Sequence, residues 1–161
     1  MSNVVALPRL HLAPLQEGQL DAAAAFLHAN WRATYREDLP PALLARRGEG
    51  YFRDYLAGRR ERCWLAWLDR RLVGLATASA NCVDDVWVAE PFRRRGIGSR
   101  LVEAALGHVR GRGFGFAQAG CEDFNHGAVG FFEALGWSRI GAEPQQLAPD
   151  LRVQALVFSR S

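Results

Sequence analysis

The stretch 83–106, VDDVWVAEPFRRRGIGSRLVEAAL, most constrains what this chain can fold into. Residues 83 to 89 read as a strand. Beyond them, Val102, Ala105, Leu106 and Val109 recur at helical spacing and define a buried stripe, so a helix begins near Gly98 or Ser99. The first turn of such a helix carries N–H groups without internal partners and the positive end of the helix dipole. Gly96 and Gly98 remove the Cβ atoms that would hold a ligand away from those donors, and Arg93, Arg94 and Arg95 add charge around them. Strand, Arg-x-x-Gly-x-Gly and an apolar-faced helix together predict an anion site beside a sheet edge.

Two common anion ligands are excluded by the same residues. A P-loop needs Gly-Lys-Ser/Thr, and this chain has no lysine. A dinucleotide fingerprint needs a third Gly or Ala, and position 101 is Leu. GRGFGF (111–116) misses the spacing and falls between a helix and a strand. The net charge is only +3, and the arginines outside 93–95 are scattered or interleaved with acids, as in Arg59, Arg60, Glu61 and Arg62, so no nucleic-acid face is expected. Cys63, Cys82 and Cys121 stand far apart, which argues against a disulfide framework or a zinc site and for a reducing compartment. No metal is expected. With no secretory signal in MSNVVALPRLHL and no apolar run of about 18 residues, cytoplasmic is the default and no membrane is implied.

The remaining sequence alternates elements with no linker, predicting one domain over 1–161. Strands are expected at 9–13, 63–68, 72–79, 83–89, 114–121, 137–141 and 151–158, with a hairpin turn at Asp69-Arg70-Arg71. Helices are expected at 17–29, 51–57, about 98–109 and 125–135, the last closed by Gly136 in a left-handed conformation. Pro40-Pro41 is read as a break. The fold class is α/β, a mixed sheet covered by helices.

Two blocks now carry a family resemblance: VWVAEPFRRRGIGSRLVEAAL, and Asn125 through Phe131-Phe132-Glu133-Ala134-Leu135-Gly136-Trp137. Over about residues 83–141 the chain resembles the GNAT superfamily of acetyl-CoA-dependent N-acetyltransferases. The resemblance implies a sheet splayed between the strands at 83–89 and 114–121, with the pantetheine arm of the co-substrate acetyl-CoA in the splay. It further implies that backbone amides of Arg93, Arg94, Arg95, Gly96, Ile97, Gly98 and Ser99 hold the pyrophosphate. Backbone groups of Val86, Trp87 and Val88 would bond the pantetheine, and the Val88 amide would face the thioester oxygen. Asn125 would touch the pantetheine or fix the following helix. Where the family often has a tyrosine that protonates the leaving thiolate, this chain has Phe132, which has no proton to give. Tyr35 or Tyr55 could reach in from the helical cap instead. A homodimer is an expectation of the resemblance alone.

The general base has four candidates, Asp84, Asp85, Glu122 and Asp123, with Asp85 on the Trp87 face of its strand and opposite Val86 and Val88. Tyr35, Asp85 and Glu122 are taken as the catalytic set. The acceptor, a small-molecule amine or a peptide N-terminus, is expected between 30–40 and 142–151, where Trp31, Tyr35, Glu37 and Asp38 supply aromatic and acidic surface. Two other classes remain: a CoA-binding module without turnover, suggested by Phe132, and a nucleic-acid contact through 93–95.

Overall fold

A computed structural model describes residues 9–161; residues 1–8, most of the stretch read as lacking a leader, lie outside it. The chain runs β1 (Leu10–Pro14), α1 (Leu20–Tyr35), α2 (Pro41–Arg46), α3 (Glu49–Ala57), β2 (Cys63–Leu68), β3 (Arg71–Ser79), β4 (Cys82–Val88), α4 (Ile97–Gly111), β5 (Ala117–Glu122), α5 (His126–Ala134), β6 (Ser138–Ala148) and β7 (Leu151–Arg160). The strands form one mixed sheet in the order β1-β2-β3-β4-β5-β7-β6. Among the described residues no helix is long and apolar enough to cross a membrane.

Helices cover both faces. On one side α1 and α3 pack through Leu27, Trp31, Tyr35, Phe52 and Leu56 onto Leu65 and Leu75. On the other, α4 lays Leu101, Val102, Ala105, Leu106 and Val109 against β3, β4 and β5. Between these layers β3 is buried from Val73 through Ala78, as a central strand covered on both faces must be.

The sheet opens where it matters for function. β4 and β5 run parallel but pair at a single register position, Cys82 with Gln118. Beyond it the β4 edge faces no strand. A register shift between Thr77 and Ala78 leaves Asp84 as the extra residue of a bulge in β4, and bulges bend and twist the strand that carries them. The splay expected between 83–89 and 114–121 is therefore present.

Several bounds differ from expectation. α1 extends to Tyr35 because Leu27, Trp31 and Tyr35 continue its buried stripe. Pro40-Pro41 starts a helix rather than only breaking one: Pro41 occupies the first position of α2, where a missing N–H does no harm. Phe114 and Phe116 lie exposed ahead of β5 rather than within it. β6 runs on to Ala148, so the wall expected over 142–151 is mostly paired strand.

Candidate active site

Along β4 the backbone faces alternate. The Ala89 N–H donates to the Val73 carbonyl at 2.9 Å, toward β3. The N–H and carbonyl of Val88 consequently point the other way, into the gap left by β5. The Arg93 Nε caps that carbonyl at 2.9 Å, leaving the Val88 N–H as the donor directed at the opening. Val86 and Val88 set their side chains against the α4 layer, while Asp85 and Trp87 face α1 and α3, as the alternation predicts.

β4 leads through a short turn, Glu90–Phe92, into the arginine loop. The chain turns left-handed at Arg94 (φ 63°), not at Arg95, and left-handed again at Gly96 (φ 78°). Such alternation draws successive amides toward one side and forms an anion-binding concavity. α4 begins at Ile97, one or two residues earlier than the apolar stripe suggests, with Gly96 preceding its first turn. The two glycines serve different ends. Gly96 supplies the positive φ in open space. Gly98 is buried, and a Cβ there would meet Phe131 Cε2 at 2.8 Å, so its bare face admits the neighbouring helix α5 rather than a ligand. The side chains of Arg93, Arg94 and Arg95 are exposed, and Arg95 shares the ring of Phe92 with Arg71.

Two hydrogen-bonded clusters flank the gap on the α1 and α3 side. In the first, the Tyr35 hydroxyl donates to Glu122 Oε2 at 2.6 Å and accepts from Asn125 Nδ2 at 2.9 Å. Asn125 Oδ1 in turn accepts the Ala128 N–H at 3.2 Å and caps α5. Burial, reinforced by the Glu122 charge, raises the Tyr35 pKa far above its ordinary value, so the phenol stays protonated and keeps donating. Rings of Trp87 and Phe124 hold Tyr35 edge-on. Glu122 Oε1 accepts no hydrogen bond among the described residues.

In the second cluster, Asp85 accepts from Tyr55 Oη, from Thr77 Oγ1 at 2.5 Å and from Trp87 Nε1 at 3.3 Å. Three internal donors occupy most of what a carboxylate can accept. Thr77 is fully buried and its hydroxyl is satisfied here. Asp84 and Asp123 are exposed outside both clusters. Desolvation raises the Asp84 pKa, opposed by a Ser79 hydrogen bond and by Arg59 and Arg62.

Phe132 lies in the core at 6% exposure, its ring centroid 5.0 Å from that of Trp137 and 6.0 Å from that of Phe158. Arg47 was not anticipated. Its guanidinium sits over Trp31 and Tyr51 and donates to the Leu147 carbonyl at 3.1 Å, clasping the helical cap to the β6–β7 hairpin.

Comparison with known proteins bears on this arrangement. The model of the acetyltransferase (GNAT) family matches residues 24–137. Among solved structures, a GCN5-related N-acetyltransferase from Rhodopseudomonas palustris aligns over 100% of this chain and 99% of its own, with TM-score 0.75 and 19% identity. The PaiA N-acetyltransferase of Thermoplasma acidophilum, solved with coenzyme A, covers 94% of this chain and 98% of its own at TM-score 0.66 and 12% identity. Arabidopsis thaliana Naa50, solved with the bisubstrate analogue CoA-Ac-MVNAL, covers the same shares at TM-score 0.62 and 17% identity.

Proposed function

The chain belongs to the acetyltransferase (GNAT) family, and from that premise we propose that it transfers an acetyl group from acetyl-CoA to a primary amine of a small molecule or a peptide N-terminus, by direct attack in a ternary complex. The observation that carries this reading is the unpaired edge of β4 running directly into a loop whose backbone turns left-handed at Arg94 and again at Gly96. One is an edge for an extended polar arm, the other a cradle for a pyrophosphate.

Acetyl-CoA supplies the acetyl group already activated as a thioester. Amides from Arg93 to Ser99 hold the pyrophosphate, and the outward backbone groups of Val86 and Val88 bond the arm like an added strand. The Val88 N–H sits where negative charge gathers on the acetyl oxygen during attack. An aliphatic amine, with a pKa of about 10, arrives protonated and must lose that proton. Glu122 takes it through Oε1, directly or by one water, while Tyr35 fixes the other oxygen. Asp85, already held by three donors, contributes negative charge that attracts the cation rather than a lone pair that takes its proton. The new N–C bond forms as the C–S bond breaks, the nitrogen gives up its second proton to solvent, and the thiol, with a pKa of about 8.5, departs as its anion and is protonated from solvent.

Phe132 favours a second reading, a CoA-binding module without turnover, because its buried ring leaves no phenol where the family often has one. The deciding experiment has two stages. Melting is followed with acetyl-CoA, CoA, ATP and a short DNA duplex at equal excess; a ligand at about 100 times its Kd adds about 2.7 kcal/mol, a shift of a few degrees. A shift with both CoA species alone supports the site, and a shift with DNA alone refutes it. Thiol release across a panel of amines then separates an enzyme from a silent binder.

A further inference from the structure

At the far end of α4 the arginine-rich segment 59–62 turns from α3 into β2. With the last turns of α4 it borders a half-open cavity of about 320 Å³, lined by Arg59, Arg60, Glu61, Arg62, His108 and Arg112. Four arginines and one glutamate thus line it, with Asp84 near Arg59 and Arg62. Arg60 also reaches Glu17 at 3.4 Å, but on open surface, where such pairs contribute little. Arg59 lies on the Tyr55 ring and donates to the Tyr55 carbonyl at 3.2 Å. Arg62 donates to the Gly58 carbonyl at 3.4 Å. In both side chains the Nε–H is buried and donates to nothing among the described residues. Those Nε–H groups are closed to a ligand as they are to water; the groups left to meet an acceptor from outside are Nη2 of Arg59, Nη1 of Arg62 and the guanidinium of Arg112, which also donate to nothing among the described residues. The edge-on stack of His108 against Trp64, centroids 5.5 Å apart, holds that wall in place.

Gly96 and this cavity lie at opposite ends of α4, separated by about 20 Å at a rise of about 1.5 Å per residue. The cavity is therefore distinct from the loop assigned to CoA. The negative end of the α4 dipole and the nearby Asp84 oppose an anion here, and the excess of guanidinium charge outweighs them. Guanidinium forks match phosphate oxygens two at a time, and four forks exceed what a single carboxylate can engage. A concave site of this volume suits a small molecule.

We propose that this cavity is a second anion site, taking a small polyanion with adjacent phosphate groups. The test is calorimetric titration of the full chain with inorganic pyrophosphate, with and without saturating CoA, for the wild type, Arg62→Gln, Arg112→Gln and, as control, Arg94→Gln. One pyrophosphate per chain is expected in the presence of CoA. Its Kd should rise at least tenfold in the first two variants and stay unchanged in the third. Arg112 is exposed, so its variant folds whatever the Arg62 substitution does. Equal affinities in all four proteins, loss of pyrophosphate binding on adding CoA, or binding of a DNA duplex but not pyrophosphate each overturn the site. If CoA itself does not bind, the proposed acetyl transfer falls while the Arg112 comparison still decides this proposal.

Discussion

Glu122 and Asp85 both stand beside the gap, and their hydrogen-bond surroundings differ. Glu122 keeps one oxygen unengaged among the described residues and has its other fixed by Tyr35, whereas both oxygens of Asp85 are engaged, by Tyr55, Thr77 and Trp87. Glu122→Gln is therefore expected to lower kcat by about 10²–10⁴ while leaving the acetyl-CoA melting shift intact. Asp85→Asn is expected to act mainly on folding, at about 1.5–3 kcal/mol for weakened charged hydrogen bonds, read as a lower urea midpoint. Deep loss of turnover in Asp85→Asn with an active Glu122→Gln would reverse the two roles. From the sequence, Asp85 and Glu122 are taken from four acids but cannot be ranked against each other, because the phenol that singles out Glu122 lies 87 positions away. The glycines were legible as a pair but not in their separate uses. Gly98→Ala overpacks against Phe131 and should lose about 1–3 kcal/mol, largely regained in the Gly98→Ala/Phe131→Leu double variant. Gly96→Ala strains the backbone at φ 78° by about 1–2 kcal/mol, and the Phe131→Leu change leaves that strain untouched. If both glycine variants respond alike to Phe131→Leu, the distinction fails.

The buried stripe of α4, the apolar runs of β2 and β3 and the glycine that closes α5 were readable in the residues, which is why these elements and the left-handed stop at Gly136 (φ 82°) lie close to where the residues put them. Periodicity was silent where burial is nearly absent. β6 is exposed along most of its length, so no alternation marks its second half; its pairing with β7 extends it. α2 has only six residues and opens on the proline that the pattern treats as a stop. These two weakly marked elements are what the Arg47 clasp ties together, from the end of the cap to the Leu147 carbonyl. Cation–π contacts of this kind contribute about 0.5–1 kcal/mol each near a surface. Arg47→Ala is thus expected to lower stability by roughly 1 kcal/mol and to raise KM for the amine severalfold, with KM for acetyl-CoA unchanged. That split matters, because a merely structural residue would weaken both substrates together or neither. Steady-state kinetics with each substrate varied in turn supplies it, and a rise in the acetyl-CoA KM would refute the clasp as a wall of the acceptor groove.

Across the whole molecule, the two helical layers bury ionisable groups in their neutral forms, and this sets how the fold responds to alkali. Burial pushes the thiols of Cys63 and Cys121 from 9.0 up to about 12, assisted by the charges of Asp85 and Glu122 respectively. The hydroxyls of Tyr35 and Tyr55 are likewise raised above their ordinary 10.0, chiefly by burial and then by Glu122 and Asp85. In each case the folded pKa exceeds the unfolded one. Once the pH passes the unfolded value, the unfolded chain releases a proton that the folded chain retains, so it binds fewer protons and stability falls as pH rises. The stabilisation is complete below about pH 8, begins to be lost near pH 9 through the two thiols, and drains faster above pH 10 as the tyrosines join. Each fully engaged group contributes a slope of about 1.4 kcal/mol per pH unit, roughly 2.7 for the thiol pair. The four come from four different elements or element ends, and the layering of helices on the splayed sheet gives them this common behaviour. Urea unfolding of the wild type and of a Cys63→Ala/Cys121→Ala variant, followed from neutral pH to about pH 10.5, isolates the thiol share. The variant starts lower at neutral pH for want of two buried sulfurs, yet its midpoint should fall less by about pH 10 than that of the wild type, Cys82 alone among the thiols still drawing it down. Parallel curves for the two proteins would mean that the thiols ionise as readily folded as unfolded, and that the layers shield the sheet less than their packing implies.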